Sequence, residues 1–146
     1  MIFKKLRLQN FRGYKHQEFE FSDQTTLVVG PNTSGKTNLL EAVYLLATGK
    51  SFRADLEQEM IDWESSLTRV KGRVTKDHET IDLEIILTRG EIGGERVAKK
   101  KCLLNGVGKR MMDFVGNLRA VYFGPEDLDL ITDSPSLRRK YLDLVL

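Results

Sequence analysis

The sequence predicts an α/β fold: a strand feeds a glycine-framed loop and a helix, and an antiparallel β-meander is added to them. Three observations predict this. The apolar run Thr26-Leu27-Val28-Val29 leads into Gly30-Pro31-Asn32-Thr33-Ser34-Gly35-Lys36-Thr37, and residues 38–47 continue with helix-forming side chains. That is the order of strand, loop and helix in a phosphate-binding loop. Two alternating segments precede it, and strand signals with hairpin punctuation come after it, between residues 66 and 106. At 146 residues all of this fits one domain, 1–146, with the meander as a sub-layer.

Residues 2–9 alternate, with Leu6 and Leu8 on one face and Lys5, Arg7 and Gln9 on the other, as a half-buried strand does. Gly13-Tyr14 breaks the pattern, and Phe19 and Phe21 then alternate with Glu18 and Glu20 in a second strand. Ser22-Asp23-Gln24 turns the chain into a third at 25–29, which is apolar without alternation and so expected to be covered on both faces. The helix after Lys36 is apolar nearly all the way round, with Glu41 its main charge, which predicts burial on more than one side. Gly49 stops it. Residues 50–59 read as loop with a short helical turn, and Trp63 is expected to anchor the segment after it.

Strands are predicted next at 68–75 and 80–88, the second with Ile81, Leu83, Ile85 and Leu87 on one face. Residues 90–94 make a hairpin loop, and a strand at about 96–104 ends on the turn signal Asn105-Gly106. Together these read as a separate antiparallel layer. Met111 to Val115 predicts a short helix, 118–123 a strand and 126–131 a helical turn. Ser134-Pro135 supplies the N-cap and first residue of a helix running to Leu146.

Composition narrows the function classes. Charged residues make up 30% of the chain and Pro is scarce, which argues against global disorder, while a net charge of +2 does not by itself indicate nucleic acid. The single cysteine, Cys102, excludes an internal disulfide framework and reads as a small apolar filler in a strand. His16 and His78 sit among charged residues, read as exposed, and have no metal partner nearby in sequence. No stretch approaches the roughly 20 apolar residues of a membrane span, and the opening Met1-Ile2-Phe3-Lys4-Lys5 lacks a signal-peptide core. A cytoplasmic protein with no membrane partner is the expectation.

The chemistry resides in the loop at 30–37. Glycines at both ends let the backbone curl until successive N–H groups face a phosphate chain. The next helix adds unpaired N–H groups and a positive dipole end. Lys36 reaches the β- and γ-phosphates, and the Thr37 hydroxyl ligates Mg²⁺. The expected ligands are therefore a nucleoside triphosphate, which the resemblance described below implies to be ATP, and Mg²⁺, held by Gly30, Pro31, Asn32, Thr33, Ser34, Gly35, Lys36 and Thr37. The bland reading of the same residues is a glycine turn before an ordinary helix.

Three segments together resemble the RecF family, bacterial recombination and gap-repair ATPases related to SMC and ABC-type ATPase heads. They are Leu6-Arg7-Leu8-Gln9-Asn10-Phe11-Arg12-Gly13-Tyr14; Gly35 to Ala42 with Ala47-Thr48-Gly49-Lys50-Ser51; and Gly124-Pro125-Glu126-Asp127-Leu128 with Ser134-Pro135-Ser136-Leu137-Arg138-Arg139. The resemblance implies an ABC/SMC-head type of P-loop NTPase and an ATP-dependent homodimer. It implies DNA binding at single strands and at junctions of single and double strands, in recombinational repair, replication-gap maintenance and the SOS response to DNA damage, with a RecR-type mediator as partner. It also places Arg12 near the nucleotide. Thr33 stands where relatives usually carry Gly or Ala.

One departure matters more. In such heads a signature motif and an apolar strand ending in Asp-Glu lie far downstream, and neither is found here. The nearest candidate, Ala120-Val121-Tyr122-Phe123, is separated by Gly124-Pro125 from Glu126-Asp127, acids that read as caps of the next helical turn. The chain thus reads as an N-terminal piece of a longer protein, with no catalytic residue of its own. Three basic clusters are candidate DNA-backbone contacts or solvated faces: Lys4-Lys5-Arg7, Arg96 with Lys99-Lys100-Lys101, and Arg138-Arg139-Lys140. Two functions remain open: the ATP-binding lobe of a DNA repair ATPase, inactive alone, or a non-hydrolysing module in which nucleotide gates DNA or partner binding.

Overall fold

The alternation of residues 2–9 becomes β1 (Ile2–Phe11), the strand around which the sheet is built. A computed structural model describes residues 1–128 together with residues 135, 136 and 139, the side chains of 126 and 128 excepted. The helix expected from Ser134 to Leu146 and the cluster at 138–140 lie outside the described residues as a whole.

β1 pairs antiparallel with β2 (Tyr14–Glu20) on one side and with β3 (Leu67–Lys76) on the other. β3 continues to β4 (Glu79–Thr88). A two-stranded ribbon, β5 (Glu91–Ile92) and β6 (Glu95–Arg96), turns at Gly93-Gly94. β7 (Lys100–Leu104) then pairs with β4, and β8 (Val107–Lys109) with β7, giving the order β2-β1-β3-β4-β7-β8. The meander is therefore not a layer apart: β1 has two pairing edges, and β3 takes the one that β2 leaves. The strand expected at 96–104 is split, because residues 97–99 leave the ladder between β6 and β7.

The helix α1 (Lys36–Thr48) covers one face of this sheet. Leu6 and Leu8 of β1, Val70 and Val74 of β3, Leu83, Ile85 and Leu87 of β4 and Cys102 of β7 meet Leu39, Ala42, Leu45 and Leu46 of the helix. Burying each large side chain stabilises the fold by about 1.5–3 kcal/mol. Gly72 sits opposite Leu6 in the middle of this face. A Cβ there would lie 2.6 Å from Leu46 Cδ1 and 2.8 Å from a Phe3 ring carbon, so its absence lets helix and sheet approach. Gly49 ends α1 in the left-handed region and its N–H bonds the Leu45 carbonyl at 2.8 Å. Lys100 turns inward to bond Glu57 and the Gly49 carbonyl, placing a cation at the helix C-terminus.

The opposite face carries charge in rows. Glu18 and Glu20 of β2, Lys5 and Arg7 of β1, Lys71 and Arg73 of β3, and Asp82 and Glu84 of β4 are in register. Two basic strands thus run side by side, which repels, and an acidic strand on each flank offsets it.

Three expectations fail. Residues 25–29 form no strand and are exposed rather than covered, Leu27 at 82%. Residues 118–123 form no strand either, and Val121 is 99% exposed. No described strand pairs with either segment, and strand propensity is realised only against a paired neighbour. Trp63 anchors nothing: it is 93% exposed at the tip of a turn closed by Asp62, whose Oδ1 accepts from the Glu64 N–H at 3.1 Å. A 3₁₀ turn at Glu57–Met60, a short helix α2 (Met111–Phe114) and a second 3₁₀ turn at Pro125–Leu128 fall near their predicted places.

Candidate triphosphate-binding site

α1 starts at Lys36, immediately after the loop, with Gly35 at its N-cap. No side chain caps this end, and no acidic residue occupies the first turn. The helix therefore opens with free N–H donors and an uncompensated positive dipole end. Gly35 has φ +92°, and its position is tight as well as left-handed: a Cβ would fall 2.7 Å from the Tyr14 hydroxyl, which donates to the Gly35 carbonyl at 3.2 Å. Tyr14, from β2, thus props the loop from below.

Lys36 Nζ folds back over the loop and donates to the Gly30 carbonyl at 2.7 Å and the Pro31 carbonyl at 2.6 Å. The Ser34 N–H reaches the Pro31 carbonyl at 3.3 Å, so 30–36 closes into a ring around its own lysine. Thr33 takes φ +70°, a left-handed conformation that a β-branched residue adopts only at a cost. Asn32, Thr33 and Thr37 are exposed. Backbone donors, one ammonium and an exposed hydroxyl form a donor set that fits a polyphosphate with its hard divalent ion. Among the described residues no group of three His, Cys, Asp or Glu could hold a metal by itself.

Beneath the loop lies a cluster that sequence reasoning missed. Glu41, one helical turn past Thr37 and fully buried, receives Arg12 Nε at 3.0 Å, Arg12 Nη2 at 2.7 Å, Arg53 Nε at 3.1 Å and the Ser51 hydroxyl at 2.6 Å. Arg53 also bonds Asn38 Oδ1. Burial alone would push the Glu41 carboxyl up, but hydrogen bonds from Arg12 and Ser51 and the charges of Arg12 and Arg53 outweigh it and hold it below the usual carboxylate range. The remaining Arg12 nitrogen, Nη1, donates to the Glu59 carbonyl at 2.7 Å. Arg12 is thus next to the helix that carries Lys36, with all three guanidinium nitrogens committed inside the protein. The one available signal was a lone acid in an otherwise apolar helix.

The other singled-out residues lie elsewhere. Asp127 accepts from the Gly124 N–H at 2.6 Å and closes its own 3₁₀ turn. Of the first basic cluster, Lys4 pairs with Asp23, Lys5 with Glu18 at 2.7 Å and Glu20 at 2.9 Å, and Arg7 with Glu18. Cys102 is buried in β7, and both histidines are exposed.

Residues 5–138 match the AAA domain family. The chain belongs to that family. Within it, the chain is of the RecF type. It is 36% identical to the DNA replication and repair protein RecF of Oceanobacillus iheyensis over 147 aligned positions, covering all of this chain and 38% of that protein. It is 38% identical to RecF of Oenococcus oeni, over 98% of this chain and 36% of the relative. A solved structure of the recombination mediator protein RecF-ATPrS in the RecFOR pathway superposes with a TM-score of 0.85 at 34% identity, covering 97% of this chain and 37% of that one. The SMC head domain from Thermotoga maritima gives 0.63 at 26% identity, over 77% of this chain and 40% of that one. The fold is thus that of the SMC and RecF ATPase heads, and this RecF-type chain spans a little over a third of the length of the RecF proteins it matches.

Proposed function

We propose that this chain supplies the triphosphate-holding lobe of a RecF-type ATPase that binds DNA in an ATP-dependent manner during repair and replication. The observation that carries the reading is the uncapped start of α1 beside the Lys36 ammonium inside a ring closed by Gly30 and Gly35. Lys36 would exchange its two carbonyl partners for β- and γ-phosphate oxygens, the loop amides would neutralise the same oxygens, and Thr37 would ligate Mg²⁺. Arg12 and Arg53, gathered by Glu41 below the loop, add positive potential at the same end of the helix. Similarity to RecF supports single-stranded DNA and single/double-strand junctions as ligands, a RecR-type mediator as partner, an ATP-dependent homodimer and a cytoplasmic setting. Among the described residues no helix is long and apolar enough to cross a membrane.

A second reading, a non-hydrolysing module in which nucleotide gates DNA or partner binding, is favoured by the fate of two acids. Glu41 is occupied by two arginines and Asp127 by its own turn. Titration with labelled ATP and Mg²⁺ tests the shared core of both readings: saturable binding that Lys36→Ala abolishes supports it, and binding that Lys36→Ala leaves unchanged overturns it. Turnover separates the two readings. This chain alone is expected to turn ATP over negligibly on either reading; in a protein of RecF length that carries it, hydrolysis that rises with protein concentration selects the ATPase, and ATP-dependent DNA retention with negligible hydrolysis selects the gated module.

A further inference from the structure

Residues 51–54 fold back along the start of α1 and are locked there. The Ser51 hydroxyl oxygen accepts the Arg53 N–H at 3.0 Å and the Ala54 N–H at 2.8 Å, which closes a tight turn. Phe52 stacks on Tyr122, with ring centroids 4.0 Å apart, and stands edge-on to Tyr44. The turn aims Arg53 at the helix. Its Nε donates to Glu41 Oε2 at 3.1 Å and its Nη2 to Asn38 Oδ1, so one guanidinium spans a full turn of α1. A guanidinium only donates. The second bond therefore fixes the oxygen end of the Asn38 amide toward Arg53.

Asn38 stands where the direction of that oxygen matters. With Gly35 at the N-cap, Lys36, Thr37 and Asn38 are the first three residues of the helix. From the third of these a polar side chain turns back to accept the N-cap N–H, as in a capping box. Asn is prone to bond nearby backbone in this way. Such a cap would occupy a donor that a phosphate needs, yet no side chain caps this helix. We propose that Arg53 is a positioning residue of the triphosphate site: it draws the Asn38 oxygen away from the N-cap and keeps the first amides of α1 vacant. The inference rests on the proposed triphosphate binding and gives Arg53 a task distinct from its charge. Glu41 makes the arrangement firm, because the carboxylate that anchors Arg53 is itself buried and held by Arg12.

Titration of the whole chain with labelled ATP and Mg²⁺, comparing Arg53→Ala with Arg53→Ala/Asn38→Ala, separates positioning from charge. In Arg53→Ala the released oxygen should cap Gly35 and weaken binding about fivefold, the factor that one side-chain cap is worth. Adding Asn38→Ala removes that oxygen and should recover the lost affinity. A double variant as weak as Arg53→Ala would show that Arg53 acts through its charge, and overturns the proposal. Arg53→Ala that binds like wild type overturns it too. Hydrogen exchange at the Gly35 amide, followed by NMR without nucleotide, reads the same change in the absence of ligand. It should slow about fivefold in Arg53→Ala and return to the wild-type rate in the double variant. Unchanged exchange in Arg53→Ala overturns the proposal even where affinity falls, and leaves triphosphate binding standing. Wild type that takes up no ATP overturns both. If Arg53→Ala loses its thermal transition, Arg53→Met repeats the comparison.

Discussion

Arg12 grips Glu41 with two parallel bonds, Nε to Oε2 at 3.0 Å and Nη2 to Oε1 at 2.7 Å, one turn below Thr37. The pair ties the end of β1 to the helix that carries the loop. Removing one member of a buried ion pair costs about 3–5 kcal/mol, because the other is left without its partner. Arg53 and Ser51 remain to serve Glu41, so Arg12→Ala should fall near the lower figure. Urea unfolding of the variant checks this, and a loss below about 1 kcal/mol, the range of an exposed pair, would show Arg12 to be dispensable.

The same carboxylate sets an acid limit. Its folded-state titration lies below the ordinary value, so its stabilising share is complete above the unfolded value of about 4.3. That share is lost as pH falls through the folded value. Glu18, Asp62 and Asp82 are held low in the same sense by Lys5, Lys15 and Arg73 as their foremost partners, but each of these pairs has at least one solvent-facing member and is screened by salt more than the Glu41 cluster. Urea midpoints between pH 6 and pH 3 in 0.5 M salt should fall for the wild type, and Glu41→Gln should flatten the curve. An equally steep fall in the variant would assign the acid sensitivity elsewhere.

Thr33 is strained by its left-handed conformation at φ +70°. Such a conformation costs an L-residue about 1–2 kcal/mol, and glycine escapes it at the expense of some unfolded-state entropy. Thr33→Gly should stabilise the chain by about 0.5–1 kcal/mol and raise the melting temperature by a few degrees. A lower melting temperature would mean that the threonine hydroxyl, which donates to the Asn32 carbonyl, outweighs the strain.

Leu27, Val29, Val121 and Phe123 are mostly exposed, on two segments that line a common hollow with Leu40 and Tyr44. Exposed apolar surface of this kind binds hydrophobic dyes and promotes association. Purified chain should enhance anilinonaphthalene sulfonate fluorescence in its native state. Val29→Thr with Val121→Ser should lower the signal while moving the urea midpoint little, since exposed positions rarely contribute more than about 0.5 kcal/mol. Undiminished fluorescence would place the dye elsewhere.

What the sequence disclosed was local. The loop at 30–37, the alternation in β1 and β4 and the Asn105-Gly106 turn are each settled by residues within reach of one another. The segments at 25–29 and 118–123 misled because their composition describes a strand between neighbours, and no described strand pairs with them. Glu41 stayed hidden for a similar reason: its partners come from positions 12, 51 and 53, which only folding assembles. Successive side chains along a strand cannot share a face, and among Lys99, Lys100 and Lys101 it is Lys100 that turns inward.

The hollow at residue 72 makes the pitch of the first helix a property of the sheet. Leu46 seats there, and Lys36 stands ten residues away, about 15 Å along the same rod. A methyl group at 72 would act as a wedge under the far end of a lever, swinging the ammonium and its amide ring without touching either. The aim of Lys36 and its loop is thus calibrated by an atom that is not there.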